Sequence, residues 1–147
     1  AFPLRTFTSK SESEVRAEVM ECLGMVELPD VGKKMPSELS GGMQKRVALA
    51  RAVALKPRYI LYDEPTSGLD PETSNTIDEL IKSLADQLNV TSIVVTHDMH
   101  SVLNIADRAA FIHEGRMHWT GTIEDLHASD DKVLRRFVKA NEYQIGV

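Results

Sequence analysis

Several features that are common in other protein classes are scarce in this 147-residue sequence. It has one cysteine, Cys22, which excludes an internal disulfide and is typical of a protein from a reducing compartment. No apolar run approaches the roughly eighteen residues that a membrane-spanning helix needs. The basic residues are scattered and the net charge is −5, which disfavours a nucleic-acid groove with its concentrated basic stripe. With 42% apolar and 27% charged residues, the composition is that of a globular protein.

A pair of glycines marks the start of a predicted helix. Ser40-Gly41-Gly42 precedes a pattern in which Val47, Ala50 and Ala54 recur at spacings of three and four. We expect a helix to begin here, with a hydroxyl and backbone N–H groups at its positive end, where an anion such as phosphate is favoured. Glycine would let a ligand approach the backbone closely. Taken alone, the same residues could form an ordinary helix start.

Two adjacent carboxylates follow a short apolar run. Tyr59–Tyr62 is bounded by Pro57 and Pro65, which predicts a buried strand of a parallel sheet. Asp63 and Glu64 then lie at its carboxyl end, where open α/β sheets bind ligands. Such a pair suits a hard cation such as Mg²⁺ and a positioned water, although it could also be a solvated acidic corner.

Local signals predict the other elements. Ser11 and Glu14 have capping-box spacing before a helix with Cys22 on its apolar face, whereas residues 1–10 have no periodicity and predict a loose end. Asp70-Pro71 is a strong helix start, and the apolar stripe that follows it ends near Asn89. The remaining patterns predict a strand at 92–96 that ends at His97, a short helix opened by His97-Asp98, a hairpin around Glu114-Gly115-Arg116, and helices near 123–128 and 132–140.

Four of these stretches together resemble the ABC-transporter ATPase family, in the order of its signature loop, Walker B strand, D-loop and switch histidine: Leu39–Gly42, Asp63-Glu64, Ser67–Asp70 and Thr96–Asp98. The amino-acid sequence at residues 43–46, 59–65 and 97–102 is similar to that of the ATPases of bacterial phospholipid-trafficking (Mla-type, MCE-associated) transporters. These ATPases are also labelled organic-solvent-tolerance proteins.

The resemblance implies catalytic and metal-binding roles for three residues. Asp63 would hold Mg²⁺, Glu64 would act as the general base on the attacking water, and His97 would sense the γ-phosphate. In a protein without the family pattern, a lone histidine such as His97 would usually be structural.

The resemblance also implies that the signature loop serves the nucleotide of an opposing subunit. Ser40, Gly41, Gly42 and Gln44 would then contact the γ-phosphate of ATP bound across a dimer interface. Met43 replaces the glutamine common in the family, and because Gln44 follows directly, we expect a reduced or altered side-chain contact there and no loss of function. Asp70 would both cap its helix and reach the opposing site.

The fold class that the resemblance implies is α/β, a partial P-loop NTPase fold with a parallel sheet flanked by helices and a C-terminal hairpin. Residues 1–56 would form part of the helical signature subdomain, and residues 57–147 the C-terminal part of a RecA-like ATPase core.

The sequence has no phosphate-binding P-loop motif of the form Gly-x-x-x-x-Gly-Lys-Ser/Thr. Its only Gly-Lys step, Gly32-Lys33, is followed by Lys34, and Glu27 stands where the first glycine belongs. We therefore expect the chain to be the C-terminal part of a longer protein, to be inactive alone, and to expose a sheet edge and an apolar face.

The function implied by the resemblance is that of an ATP-hydrolysing transporter subunit. It would use ATP and Mg²⁺, form a head-to-tail homodimer and bind two transmembrane permease subunits at the cytoplasmic face of the membrane, without nucleic acid. Phospholipid, or an organic solvent, would be the cargo. Two alternatives stay open: a non-transport relative that acts in DNA repair or translation, and a non-catalytic interaction fragment.

Overall fold

The capping box near the amino terminus forms as the sequence predicts. In the computed structural model, which describes residues 1–142, Ser11 Oγ accepts a hydrogen bond from the Glu14 N–H, and the Glu14 carboxylate accepts one from the Ser11 N–H. The loose end expected for residues 1–10 is wrong at Phe2–Phe7, which forms a helix. Its Leu4 side chain is buried, and this helix packs on the helix that follows it. The local sequence pattern does not predict this tertiary contact.

The described residues form helices and strands in the following order: α1 Phe2–Phe7, α2 Glu12–Met25, α3 Gly41–Val53, β1 Tyr59–Asp63, α4 Pro71–Leu88, β2 Thr91–Val95, α5 Met99–Ile105, β3 Arg108–His113, β4 Arg116–Thr122, α6 Ile123–Ala128 and α7 Lys132–Glu142. Two 3₁₀ turns, Pro29–Val31 and Pro36–Glu38, lie between α2 and α3. The chain packs into two compact units, residues 1–95 and the residues from 96 onward. The predicted domain boundary between residues 56 and 57 stays a prediction.

The core of the first unit is formed by helices packed in series. α2 contacts α3, and α3 contacts α4. The apolar stripe of α4 is buried as predicted, and Asn89 ends the helix in a left-handed conformation with a φ of +50°. Within residues 1–142 no helix combines the length and the apolarity needed to cross a membrane.

The two strands of the first unit pair in parallel, with Tyr59 opposite Thr91 and Asp63 opposite Val95. The parallel arrangement confirms the α/β prediction, but burial on both faces is wrong for β1. Ile60 and Tyr62 are buried, whereas Leu61 is 76% exposed, so burial alternates along the strand. The two strands therefore present an exposed apolar face, formed by Tyr59, Leu61, Ile93 and Val95.

The predicted hairpin forms in the second unit. β3 and β4 pair antiparallel, and Glu114 and Gly115 connect them with φ angles of +49° and +72°, as a tight hairpin turn requires. The Trp119 ring lies against Gly121 so closely that an added Cβ would be 2.6 Å from it, so this ring packs within the hairpin. The predicted short helices follow as α6 and α7. Of the tail 141–147, residues 143–147 lie outside the described part of the chain.

Cys22 and Glu18 share the buried side of α2. The thiol is buried, as predicted, and burial raises its pKa. The Glu18 carboxylate is 9% exposed and bonds both Lys10, which precedes α2, and Lys56, which follows α3. The hydrogen bonds from these two ammonium groups hold the pKa of Glu18 below its ordinary value of 4.5. Glu18 thus connects the segment before α2 to the segment after α3.

We expect the Glu18→Gln substitution to lower the melting temperature at neutral pH. The folded state depresses the pKa of Glu18, so its stabilising effect is present above pH 4.5 and is lost as the pH falls below that value. When the melting temperature is measured from pH 3 to 7, it should therefore fall less at acid pH for the variant than for the wild type. The exposed Glu79→Gln is the matched control. Equal pH dependence in Glu18→Gln and wild type would contradict the role of this ion pair.

Candidate active site

The glycine pair opens α3 as predicted. Ser40 is the N-cap residue, and its Oγ accepts a hydrogen bond from the Met43 N–H at 3.3 Å. Gly41 and Gly42 form the first positions of the helix, and both Ser40 and Gly41 are exposed. Backbone N–H groups at such a helix start are a favourable environment for a phosphate oxygen.

The start of α3 packs directly against the start of α4. A Cβ added to Gly42 would lie 2.5 Å from Thr73 Cγ2, whereas one added to Gly41 would lie 3.7 Å from Leu69 Cδ2. Gly42 therefore allows a close approach that a side chain would prevent. The contact places the predicted signature loop against the predicted D-loop of the same chain.

Asp70 holds Thr73 in this contact. Its carboxylate accepts hydrogen bonds from the Thr73 N–H at 3.0 Å and from the Thr73 hydroxyl at 2.6 Å. These bonds, the hydroxyl's first, lower the pKa of Asp70. The predicted capping role is confirmed, and the second predicted role, toward an opposing nucleotide, stays a prediction.

The acid pair lies at the carboxyl end of β1. Asp63 is the last residue of the strand and is exposed, while Glu64 follows it and is half-buried. The Glu64 N–H donates to the Val95 carbonyl at 2.9 Å, which continues the ladder to β2. Carboxylate oxygens are the donors that Mg²⁺ prefers, so this pair is chemically compatible with the ion that the resemblance implies, and the role of Asp63 as its ligand stays a prediction.

The Gln44 side chain is hydrogen-bonded to the loop before α3. Its side-chain amide donates to the backbone carbonyls of Pro36 and Leu39, at 3.2 and 3.1 Å. The structure thus gives Gln44 a local structural task, and its predicted contact with nucleotide stays a prediction.

His97 belongs to the second compact unit. It follows Thr96 directly after β2, and Asp98 then caps α5 by accepting a hydrogen bond from the His100 N–H at 2.9 Å. The predicted helix start is therefore confirmed, and the His97 side chain is exposed. Its role as a phosphate sensor stays a prediction.

The sequence interpretation missed two residues of this region. Lys45 Nζ donates to the backbone carbonyl of Glu64 at 3.0 Å, and Thr73 provides the surface on which Gly42 rests. Lys45 and Glu64 are nineteen positions apart, so no short-range periodicity could have joined them. The Asp70-Pro71 helix start was a partial signal for Thr73, because it sets which residue the Asp70 carboxylate caps.

Comparison with known sequences finds similar proteins. The ABC transporter family model matches residues 2–67. The MlaF intermembrane phospholipid transport ATP-binding protein of Haemophilus influenzae is 47% identical over 139 residues, which are 95% of this chain and 53% of that protein. Residues 2–67 therefore match the ABC transporter family, and nearly the whole chain is similar to a transport ATP-binding protein.

Other transport ATP-binding proteins are similar to this chain over most of its length. MlaF of Escherichia coli K12 is 43% identical over 94% of this chain and 51% of its own length. The Mycobacterium tuberculosis protein named "Probable ribonucleotide transport ATP-binding protein mkl" is 43% identical over 99% of this chain and 40% of its own length. The chain therefore spans about half the length of these curated relatives, or less.

A solved ABC cassette shares the fold. MJ0796, determined as a dimer in a post-hydrolysis state bound to ADP and Pi, superimposes with a TM-score of 0.69 and 36% identity. The match covers 82% of this chain and 52% of that one. The predicted α/β fold of ABC ATPases is thereby confirmed.

We expect Gly42→Ala to destabilise the first unit and Gly41→Ala to leave it nearly unchanged. The added methyl at position 42 would lie 2.5 Å from Thr73 Cγ2, and the Thr73 side chain cannot rotate away without losing the bond from its hydroxyl to Asp70. Overpacking of this kind typically costs about 1–3 kcal/mol. Urea unfolding of the two variants measures the difference, and equal stabilities would show that the Gly42–Thr73 contact is loose.

Proposed function

We propose that this chain is the part of an ABC transporter ATPase that completes a nucleotide site with its signature loop and carries the water-activating carboxylate. The observation that supports this most is that α3 contacts both the start of α4, through Gly42 and Thr73, and the end of β1, through the Lys45 bond to the Glu64 carbonyl. A phosphate-binding helix end and an acid pair thus occur within residues 1–95. The nucleotide-gripping P-loop would lie outside these 147 residues.

Different residues of the chain would have different roles in ATP hydrolysis. Glu64 would orient the attacking water and take its proton as that water attacks the γ-phosphorus. The N–H groups at the start of α3 would stabilise negative charge on the γ-phosphate of ATP bound by an opposing subunit. His97 would act as a γ-phosphate sensor. When bound at Asp63, Mg²⁺ supplies neutralisation of phosphate charge.

The proposed assembly is a head-to-tail homodimer bound to two permease subunits at the cytoplasmic face of the membrane. The solved MJ0796 cassette is a dimer, which supports the first part. The two MlaF relatives, at 43–47% identity, support phospholipid as the cargo over an organic solvent. The mycobacterial relative names ribonucleotide transport instead, so cargo is the part of the proposal that most needs an experiment.

We expect Glu64→Gln, made in the complete subunit, to lower the ATP turnover rate by ~10²–10⁴-fold, because a positioned general base is removed. ATP binding should persist, and the variant should accumulate as an ATP-bound dimer in gel filtration. The exposed Glu79→Gln controls for the loss of one negative charge. Turnover of Glu64→Gln near the wild-type rate would discard the proposed role.

Cargo can be tested by reconstituting the complete subunit with its permeases in vesicles. We expect ATP to drive transfer of a labelled phospholipid between vesicle populations, and we expect the Glu64→Gln subunit to support none. Uptake of a ribonucleotide without phospholipid transfer would contradict the phospholipid assignment and leave the ATPase proposal intact.

A further inference from the structure

The backbone at Glu64 has a conformation that it would not adopt unaided. Its φ angle is +46°, in the left-handed region, where the Cβ of an L-residue crowds the backbone. A non-glycine residue keeps such a conformation only when its surroundings hold it, and such residues concentrate at functional sites. The question is therefore which groups hold the Glu64 peptide.

Both polar groups of the Glu64 backbone are bonded. On one side its N–H donates to the Val95 carbonyl of β2 at 2.9 Å. On the other side its carbonyl accepts the Ser67 N–H at 3.3 Å and the Lys45 ammonium at 3.0 Å. The Lys45 bond is the charged one of the three, and a hydrogen bond with an ionised donor is about twice as strong as a neutral one.

The charged side chain of Lys45 extends from α3, the helix that follows the predicted signature loop. It lies four residues after Gly41 on α3, one turn of helix further along, and its side chain is half-buried. The first turn of the same helix rests on Thr73. One rigid helix therefore contacts both the start of α4 and the carbonyl of the residue that carries the proposed base.

We propose that Lys45 is a positioning residue for Glu64. Its ammonium holds the peptide from which the Glu64 carboxylate extends and fixes that peptide relative to the phosphate-facing end of α3. This inference rests on the proposed ATPase function for its catalytic consequence, but the mechanical part, that Lys45 restrains the segment 64–67, does not. Lys45 itself does not touch the reacting atoms in this scheme.

The test compares Lys45→Met with Lys45→Arg in the complete subunit. Methionine keeps an unbranched apolar stem and removes the charge, whereas arginine can still donate to the Glu64 carbonyl. Lys82→Met, at an exposed position of α4, is the matched control. We expect Lys45→Met to lower kcat by roughly 10- to 100-fold, with the KM for ATP within about twofold of wild type, because misplacement of a catalytic group affects the chemical step. Lys45→Arg should restore most of the rate.

Amide hydrogen exchange gives a readout that does not depend on activity. In Lys45→Met the amides of Glu64 and Ser67 should exchange at least about 10-fold faster than in wild type, and Lys82→Met should not change them. Unchanged exchange overturns the inference, as does a wild-type kcat or a failure of arginine to rescue. The proposed function and the restraint can fail separately. If the wild-type subunit does not hydrolyse ATP but the Glu64 and Ser67 amides exchange faster in Lys45→Met, the proposed function is overturned and the restraint of segment 64–67 by Lys45 is supported.

Discussion

The hydrogen bonds at the Glu64 peptide are the constraint on which the first unit's candidate site depends. The chain leaves β1 there and turns toward α4, and the turn is bonded to β2 through Val95 and to α3 through Lys45. Without these bonds the left-handed φ of Glu64 would be unfavourable, and the peptide that carries the Glu64 side chain would lose its restraint. The strand, the signature helix and the acid pair thus form one mechanical unit.

Much of the chain could be predicted from sequence because its helix starts are encoded within four residues. The Ser11 box, the Ser40 cap and the Asp70 cap each pair a side chain with the backbone N–H three positions ahead. The hairpin turn is similarly local, because Glu114-Gly115 supplies the two positive φ angles. The position of the acid pair at a strand end indicated a site for Mg²⁺ and water, and the family pattern added the separate roles of Asp63, Glu64 and His97, which stay predictions.

The remainder could not be predicted because it depends on contacts between distant residues. α1 forms where nothing in residues 1–10 is periodic, since the burial of Leu4 on α2 stabilises it. The apolar run of β1 looked equally apolar on both faces, yet only Ile60 and Tyr62 are covered. Lys45 gave no signal either, because a lysine in a helix is ordinarily a solvated residue.

The acidic excess of the sequence has a structural use at helix starts. Carboxylates of Asp70, Asp98 and Asp131 accept bonds from backbone N–H groups at the beginning of α4, α5 and α7, and Asp125 bonds the Thr122 N–H at α6. These bonds contribute to the lowered pKa of Asp70, Asp125 and Asp131. At these four helix starts a carboxylate of the chain already balances the partial positive charge of the helix end, whereas the start of α3 carries only the uncharged Ser40. Because an anion is favoured where a helix start lacks negative charge, the start of α3 suits a phosphate better than the starts of these four helices do.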